Sequence, residues 1–265
     1  MEYALSRSAR HVLTQLSRER TLYAFDFDGT LSPIVPNPDD AVMSRRTRAL
    51  LTCLAAARPC IVVSGRGRAD LMQRVNGVGL AQAIGNHGAE TGDASRAPRR
   101  RIAQWKAALE PALGDLPGVW VEDKELSLAV HYRQAASSSE ARCRIFAAAR
   151  DLPHVRVFGG KRVVNLVLDS APHKGQALAA ERDRLGCDWV LYVGDDKTDE
   201  DAFALCGNIV PVRIGLSQRS HARYYLRTQS EIDRLLAVLV RKTKTVENTL
   251  VGQRLSPADQ PSGRL

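Results

Sequence analysis

Short apolar runs rich in β-branched residues alternate along the chain with stretches of helical periodicity. Leu22–Phe27, Cys60–Ser64, Gln82–Gly85, Trp189–Gly194 and Asn208–Ile214 read as strands. They are apolar at successive positions, so both of their faces need covering, as in a parallel sheet between helices. The helical pattern starts at Ser44 and carries Leu50, Leu51 and Leu54, and recurs over Arg66–Val75, Lys174–Leu185 and Thr198–Leu205. Over Glu231–Lys242 the residues Ile232, Leu235, Leu236 and Leu239 fall on one helical face. The expected fold is α/β.

From about residue 94 to 171 the pattern changes. Ile102, Trp105 and Leu109 mark an amphipathic helix, and Val119–Asp123 with Leu126–Arg133 alternates with period two, as a hairpin does. Ser137–Ser139 opens a second helix through Ile145 and Ala149, and His154–Phe158 with Arg162–Leu168 forms a second hairpin around Gly159–Gly160. Helix–hairpin–helix–hairpin makes a small antiparallel sheet with helices on one face. The order predicts an α+β domain (94–171) inserted into a discontinuous core (1–93 and 172–245), followed by a flexible tail (246–265) where periodicity fades and Gly, Pro, Ser and Gln collect. In the inserted segment Leu126, Leu128, Val130 and Tyr132 share one strand face, which leaves Ser127, Ala129, His131 and Arg133 on the other. By the same parity Asn165 points away from Val164, Leu166 and Leu168. His131 and Asn165 are thus expected to face a common cleft.

Composition narrows the class. The 265 residues are 44% hydrophobic and 25% charged, ordinary for a globular protein, and no apolar run approaches the ~20 residues that span a bilayer. Arg7, Arg10 and His11 interrupt the start, which does not read as a signal peptide. Five cysteines, odd in number and widely spaced, suggest reduced thiols and a cytoplasmic location. The net charge of +9 is spread along the chain and only 5% of residues are aromatic, so neither nucleic acid nor membrane is expected as a partner. A monomer or a dimer acting on a small anionic substrate is the expectation.

The chemistry concentrates at strand ends, where open α/β sheets bind ligands. Asp26-Phe-Asp28-Gly-Thr30 follows the first strand, and two acids so placed can divide attack and proton transfer. A calcium loop is excluded, since counting from Asp26 puts Leu31 where Gly is needed and Asn37 where Glu is needed. Ser64-Gly65 offers a hydroxyl and a backbone nest, and Lys174 brings a positive charge to a helix N-terminus. Asp195, Asp196, Asp199, Glu200 and Asp201 crowd one strand end, a cluster that calls for a hard cation such as Mg²⁺. Gly159-Gly160-Lys161 is not a phosphate-binding P-loop, because Val155 and Arg162 occupy its defining positions, and no zinc motif occurs.

In order and spacing these four motifs resemble those of the haloacid dehalogenase (HAD) superfamily of phosphatases. The resemblance implies a HAD-like Rossmannoid core with a C2-type cap, αββαββ. It also implies that Asp26 is the nucleophile and forms an aspartyl-phosphate, that Asp28 is the acid and base, and that Ser64 and Lys174 hold the phosphoryl group. Mg²⁺ would then be bound by Asp26, the backbone carbonyl of Asp28 and Asp195, with Asp196 and Asp199 in support. Ser64-Gly65-Arg66, Gly85-Asn-His87-Gly-Ala-Glu90, Val121-Glu122-Asp-Lys124 with His131, and Lys161 with Asn165 resemble the trehalose-6-phosphate phosphatases within that superfamily. This implies hydrolysis of trehalose 6-phosphate, with Arg66, His87, Glu90, Glu122, Lys124, His131, Lys161 and Asn165 facing substrate. Asn165 stands where many members carry Glu, an amide in place of a charge. The alternatives are another sugar phosphate (sucrose 6-phosphate or glucosylglycerol phosphate) and a sugar phosphomutase.

Overall fold

The computed structural model describes residues 1–92 and 96–254. The first part of the chain runs β1 (Glu2–Tyr3), α1 (Arg10–Arg18), β2 (Thr21–Phe25), α2 (Arg45–Ala57), β3 (Cys60–Val63), α3 (Arg68–Arg74) and β4 (Gln82–Ile84). Next come α4 (Arg96–Leu113), β5 (Trp120–Asp123), β6 (Ser127–His131), α5 (Ser138–Arg150), β7 (Val155–Gly160) and β8 (Val163–Leu168). The chain then returns through α6 (Lys174–Arg184), β9 (Trp189–Gly194), α7 (Glu200–Phe203), β10 (Ile209–Ile214), β11 (Tyr224–Leu226) and α8 (Ile232–Arg254).

Among the described residues seven strands form one parallel sheet, in the order β1-β11-β10-β9-β2-β3-β4. Its centre is buried on both faces, as the unbroken apolar runs require. Tyr23 and Phe25 of β2 pack with Leu13, Leu16, Leu51, Leu54, Leu235 and Leu239 from α1, α2 and α8 on one side. Leu22 and Ala24 pack with Ala177, Leu178 and Phe203 from α6 and α7 on the other. Each large side chain so buried contributes about 1.5–3 kcal/mol.

A second sheet is antiparallel, in the order β5-β6-β8-β7. Leu128, Val130, Tyr132, Val164 and Leu166 pack against Ile102, Trp105, Leu109 and Ile145 of α4 and α5. The opposite face carries Ser127, Ala129, His131 and Asn165 and turns toward the larger sheet, as strand parity requires.

Some boundaries differ from those expected. The helix expected from Arg66 starts at Arg68, because Gly65-Arg66-Gly67 form the loop at the end of β3. Gly159 and Gly160 are extended within β7; the turn is Lys161–Arg162, with Arg162 at φ +63°. The run expected as one helix from Thr198 is a 3-10 turn, Lys197–Asp199, followed by α7. α8 continues through Arg254, well into the segment expected to be a flexible tail; 255–265, like the expected boundary at 93/94, lie outside the described residues. Among the described residues no helix is long and apolar enough to cross a membrane.

Candidate active site

The two sheets enclose a cavity of about 810 Å³ at the carboxyl ends of β2, β3 and β9. Asp26, Asp28, Ser64, Arg66, His87, Glu90, Glu122, Lys124, His131, Lys161, Asn165, Lys174, Asp195 and Asp196 all line it. Asp199 lies beneath, fully buried.

Asp26 continues β2, its amide donating to the carbonyl of Val193 on the neighbouring strand at 2.8 Å. The chain then turns at Gly29, at φ +90°. A Cβ there would lie 2.1 Å from Oδ2 of Asp195, so the turn needs glycine for both its backbone and its space. Lys174, at the N-terminus of α6 and 2% exposed, donates to Asp26 Oδ1 and Asp199 Oδ1, each at 2.7 Å. Asp199 is saturated: Oδ1 also accepts from Tyr192 Oη at 2.7 Å, and Oδ2 accepts the amides of Asp195 and Asp196 at 2.8 and 2.9 Å.

Lys174 therefore serves two of three buried carboxylates, Asp26, Asp195 and Asp199, each offering one oxygen within 4.8 Å of the others', while the half-exposed Lys161 pairs with Asp195. Burial works against the charge of Asp199, but Lys174 and the backbone donors outweigh it and hold its carboxyl below the usual range. Burial likewise opposes the charge of Lys174, yet Asp199 and Asp26 hold the ammonium firmly protonated. Asp26 and Asp195 are left short of positive charge. Burial lifts Asp26 well above the usual carboxylate range despite Lys174, and lifts Asp195 to about 6 despite Lys161. Asp195 Oδ1 is buried with no hydrogen-bond partner. Hard oxygen donors, a deficit of positive charge and an orphaned oxygen fit a divalent cation.

Asp28 is held differently. Arg66 grips both its oxygens, Nε and Nη2 each at 2.7 Å, and also donates to Asp70 Oδ2 and the carbonyl of Pro38. Burial opposes the charge of Arg66, but Asp28 and Asp70 more than offset it. Arg66, expected to contact sugar, lines the cavity and also fixes Asp28. Glu90, also expected to face substrate, sends Oε2 to the amide of Arg68 at the start of α3 and to Asn86 Nδ2, each at 2.7 Å. The sequence pattern does not reveal the pairing of Arg66 with Asp28 and Pro38 or of Glu90 with the Arg68 amide, because those partners are distant in sequence.

The cap is joined to the core by polar contacts that sequence reading missed. Asn86, fully buried at φ +49°, donates to Glu90 and to the carbonyl of Lys124, and Ser127 Oγ donates to its Oδ1. Lys124 Nζ reaches the carbonyl of Gly65 at 3.0 Å, and Lys161 pairs with Asp195. Arg133 donates to the carbonyls of Val35 and Pro36. The His87 ring lies against Gly65, where a Cβ would meet it at 2.4 Å, and its edge meets Phe158 with centroids 5.0 Å apart. Burial, with Lys174 and Lys124 nearby, keeps that imidazole neutral. Glu122 accepts from His131 Nε2 at 2.8 Å; burial opposes its charge, but His131 and Lys124 hold its carboxyl below the ordinary value. The residues missed here include Asn86 and Ser127. An Asn in a Gly-rich turn after a strand was the available signal for the first.

A parallel core with paired acids at the end of its central strand, roofed by a separate antiparallel sheet, is the architecture of HAD-like hydrolases. A haloacid dehalogenase-like hydrolase from Bacteroides thetaiotaomicron shares this fold with a TM-score of 0.61 at 16% identity, covering 84% of this chain and 99% of its own. The C-terminal domain of Candida albicans trehalose-6-phosphate phosphatase superposes with a TM-score of 0.76 at 22% identity, over 91% of this chain and 98% of that one. The family model described as Trehalose-phosphatase matches residues 24–228, and the chain belongs to that family. The trehalose-phosphate phosphatase of Mycobacterium tuberculosis is 38% identical over 207 residues, covering 69% of this chain and 50% of that protein. An uncharacterized glycosyl hydrolase of the same species is 39% identical over 218 residues, 74% of this chain but 16% of that protein. The chain thus spans about half the length, or less, of these curated relatives.

Proposed function

We propose that the protein is a phosphatase that hydrolyses trehalose 6-phosphate to trehalose and phosphate. The observation that carries the chemistry is the buried Asp26–Lys174–Asp199 chain beside the orphaned Asp195 oxygen. The substrate rests on the family together with the polar cap face above the site.

In this reading Asp26 attacks phosphorus and becomes an aspartyl-phosphate, while Asp28, steadied by Arg66, protonates the departing sugar oxygen. Asp28 then takes a proton from the water that releases phosphate. Lys174, with Ser64, holds the phosphoryl oxygens, so that most of what the protein contributes is position and charge. Asp26, Asp195 and the backbone carbonyl of Asp28 would hold Mg²⁺, with Asp199 and Asp196 orienting them. When bound, that ion neutralises charge on the transferring phosphoryl group. Glu122, Lys124, His131, Asn165, His87 and Lys161 form the polar ring available to sugar hydroxyls. A cap built from 94–171 on a core of 1–93 and 172–245 would close over substrate and exclude water. Five unbridged cysteines support a reducing compartment, the cytoplasm.

The test is phosphate release from trehalose 6-phosphate, sucrose 6-phosphate, glucosylglycerol phosphate and glucose 6-phosphate, with Mg²⁺ and with chelator. Mg²⁺-dependent preference for the trehalose ester is expected, and its absence would defeat the substrate assignment. An isomeric sugar phosphate in place of free phosphate would mean a mutase. Asp26→Asn should abolish turnover while unfolding at the same denaturant midpoint within error.

A further inference from the structure

Trp120 opens β5 at the lip of the cavity, and its side chain is 49% exposed, unusual for an indole. One face is covered by the imidazole of His131, with centroids 4.1 Å apart and planes within 13°. Its partner across the strands is the same His131, and that residue hydrogen-bonds Glu122. The ring is therefore held flat against the imidazole while about half of the residue stays open to solvent. The exposed Ile34 lines the same cavity from the core side.

The sheet also supplies a ruler. Trp120 is in register with His131, His131 with Val163, and Val163 with Gly160. Three strand spacings separate Trp120 from Gly160, about 14 Å. Gly160 lies over the acidic cluster, where a Cβ added to it would be 3.7 Å from Asp196 Oδ2, and the adjoining Lys161 pairs with Asp195. Trp120 thus stands at the far end of the cleft from the phosphoryl chemistry. Two linked pyranose rings and a phosphate cover that distance; one ring and a phosphate do not.

We propose that the exposed indole of Trp120 is a stacking platform for the sugar ring remote from the phosphate, so that this residue selects disaccharide over monosaccharide esters. The C–H face of a pyranose fits an indole plane, while Glu122 and His131 beside it meet the hydroxyls at the ring's edge. The inference rests on the phosphatase reading above and deepens it.

Two measurements separate the ideas. In the first, Asp26→Asn protein is titrated with trehalose 6-phosphate and with glucose 6-phosphate while tryptophan fluorescence is followed. Trp105 is buried and Trp189 packs against the core away from the cavity, so Trp120 is the indole placed to respond, and the double variant Asp26→Asn/Trp120→Phe is the blank. A saturable change with the disaccharide ester, absent from the blank and from glucose 6-phosphate, is expected; a change that persists in the blank, or none at all, overturns the platform. In the second, Trp120→Ala should raise KM for trehalose 6-phosphate about tenfold with kcat within twofold, and leave p-nitrophenyl phosphate hydrolysis unchanged. Trp120→Phe should restore most of the KM. Equal losses on both esters would mean that Trp120 only props the cap, which also overturns the proposal. If the parent protein releases no phosphate from the trehalose ester, the phosphatase reading fails, and the fluorescence titration still judges the platform.

Discussion

Lys174 is the side chain on which the buried charges balance. Its ammonium is the direct cationic partner of both Asp26 and Asp199, each at 2.7 Å and each nearly sealed from water. Lys174→Met would leave two uncompensated carboxylates in the core, and about 3–5 kcal/mol of stability should be lost in urea unfolding, together with all turnover. Glu231 offers a pH-dependent counterpart away from the site. It accepts from Tyr3 Oη at 2.6 Å and from the amide of Arg227, fastening β1 near the start of α8. Burial opposes its charge, yet these donors hold its carboxyl below the ordinary value of 4.5. Because the folded value is the lower one, this stabilisation is complete above about pH 4.5 and fades as the pH falls through the folded value. Glu231→Gln should cost about 1–2 kcal/mol at neutral pH, and the gap to the parent protein should close in acid, as read from unfolding curves at several pH values.

At the scale of elements, polar side chains and the His87–Phe158 ring contact fasten the cap to the core among the described residues. Asn86 satisfies partners on both sides of the joint, so Asn86→Ala should cost about 2–3 kcal/mol and speed amide exchange in the turn between β5 and β6. Much of this architecture is legible in the sequence. The unbroken apolar runs of β2, β3 and β9 and the period-two alternation of β6 and β8 each identify their own sheet, because burial on two faces or one leaves a different residue pattern. What escapes is set by length and by tertiary partners. β1 and β11 are too short to show a period, and α1 lies in a segment whose scattered basic residues obscure it. The glycines of β7 read as a turn although the hairpin closes one step later, at Lys161–Arg162. In the site, the residue types and their strand-end placement are readable; the pairing of Arg66 with Asp28 and of Glu90 with α3 is not, since both are made by loops that only the fold brings together.

For the whole molecule, a deficit of positive charge beneath a strongly basic exterior has a thermodynamic signature. The net charge is +9, yet its buried acidic cluster has one ammonium among three carboxylates and a second, half-exposed lysine at its edge. A divalent cation that binds the folded state alone should stabilise it by mass action, by about 2.7 kcal/mol at a hundredfold excess over Kd, and so raise the melting temperature. Asp195→Asn should abolish most of that shift, as scanning fluorimetry with Mg²⁺ and chelator would show. If Mg²⁺ left the parent protein's melting unchanged at millimolar levels, the cation assignment would fall.

The central position of β2 also sets an order of events. Leu22 pairs with Val190 and Tyr23 with Leu191, so the strand that presents Asp26 gains this neighbour only by closing a loop that contains the whole cap. The strands and helices of the cap, by contrast, are contiguous in sequence and joined by short turns. Loop closure favours nearby contacts, so the antiparallel sheet should condense first and the core should zip around it last. In pulsed hydrogen exchange during refolding, amides of β6 and β8 should gain protection before those of β2 and β9. The part of the chain that carries the nucleophile is then the last to become a site.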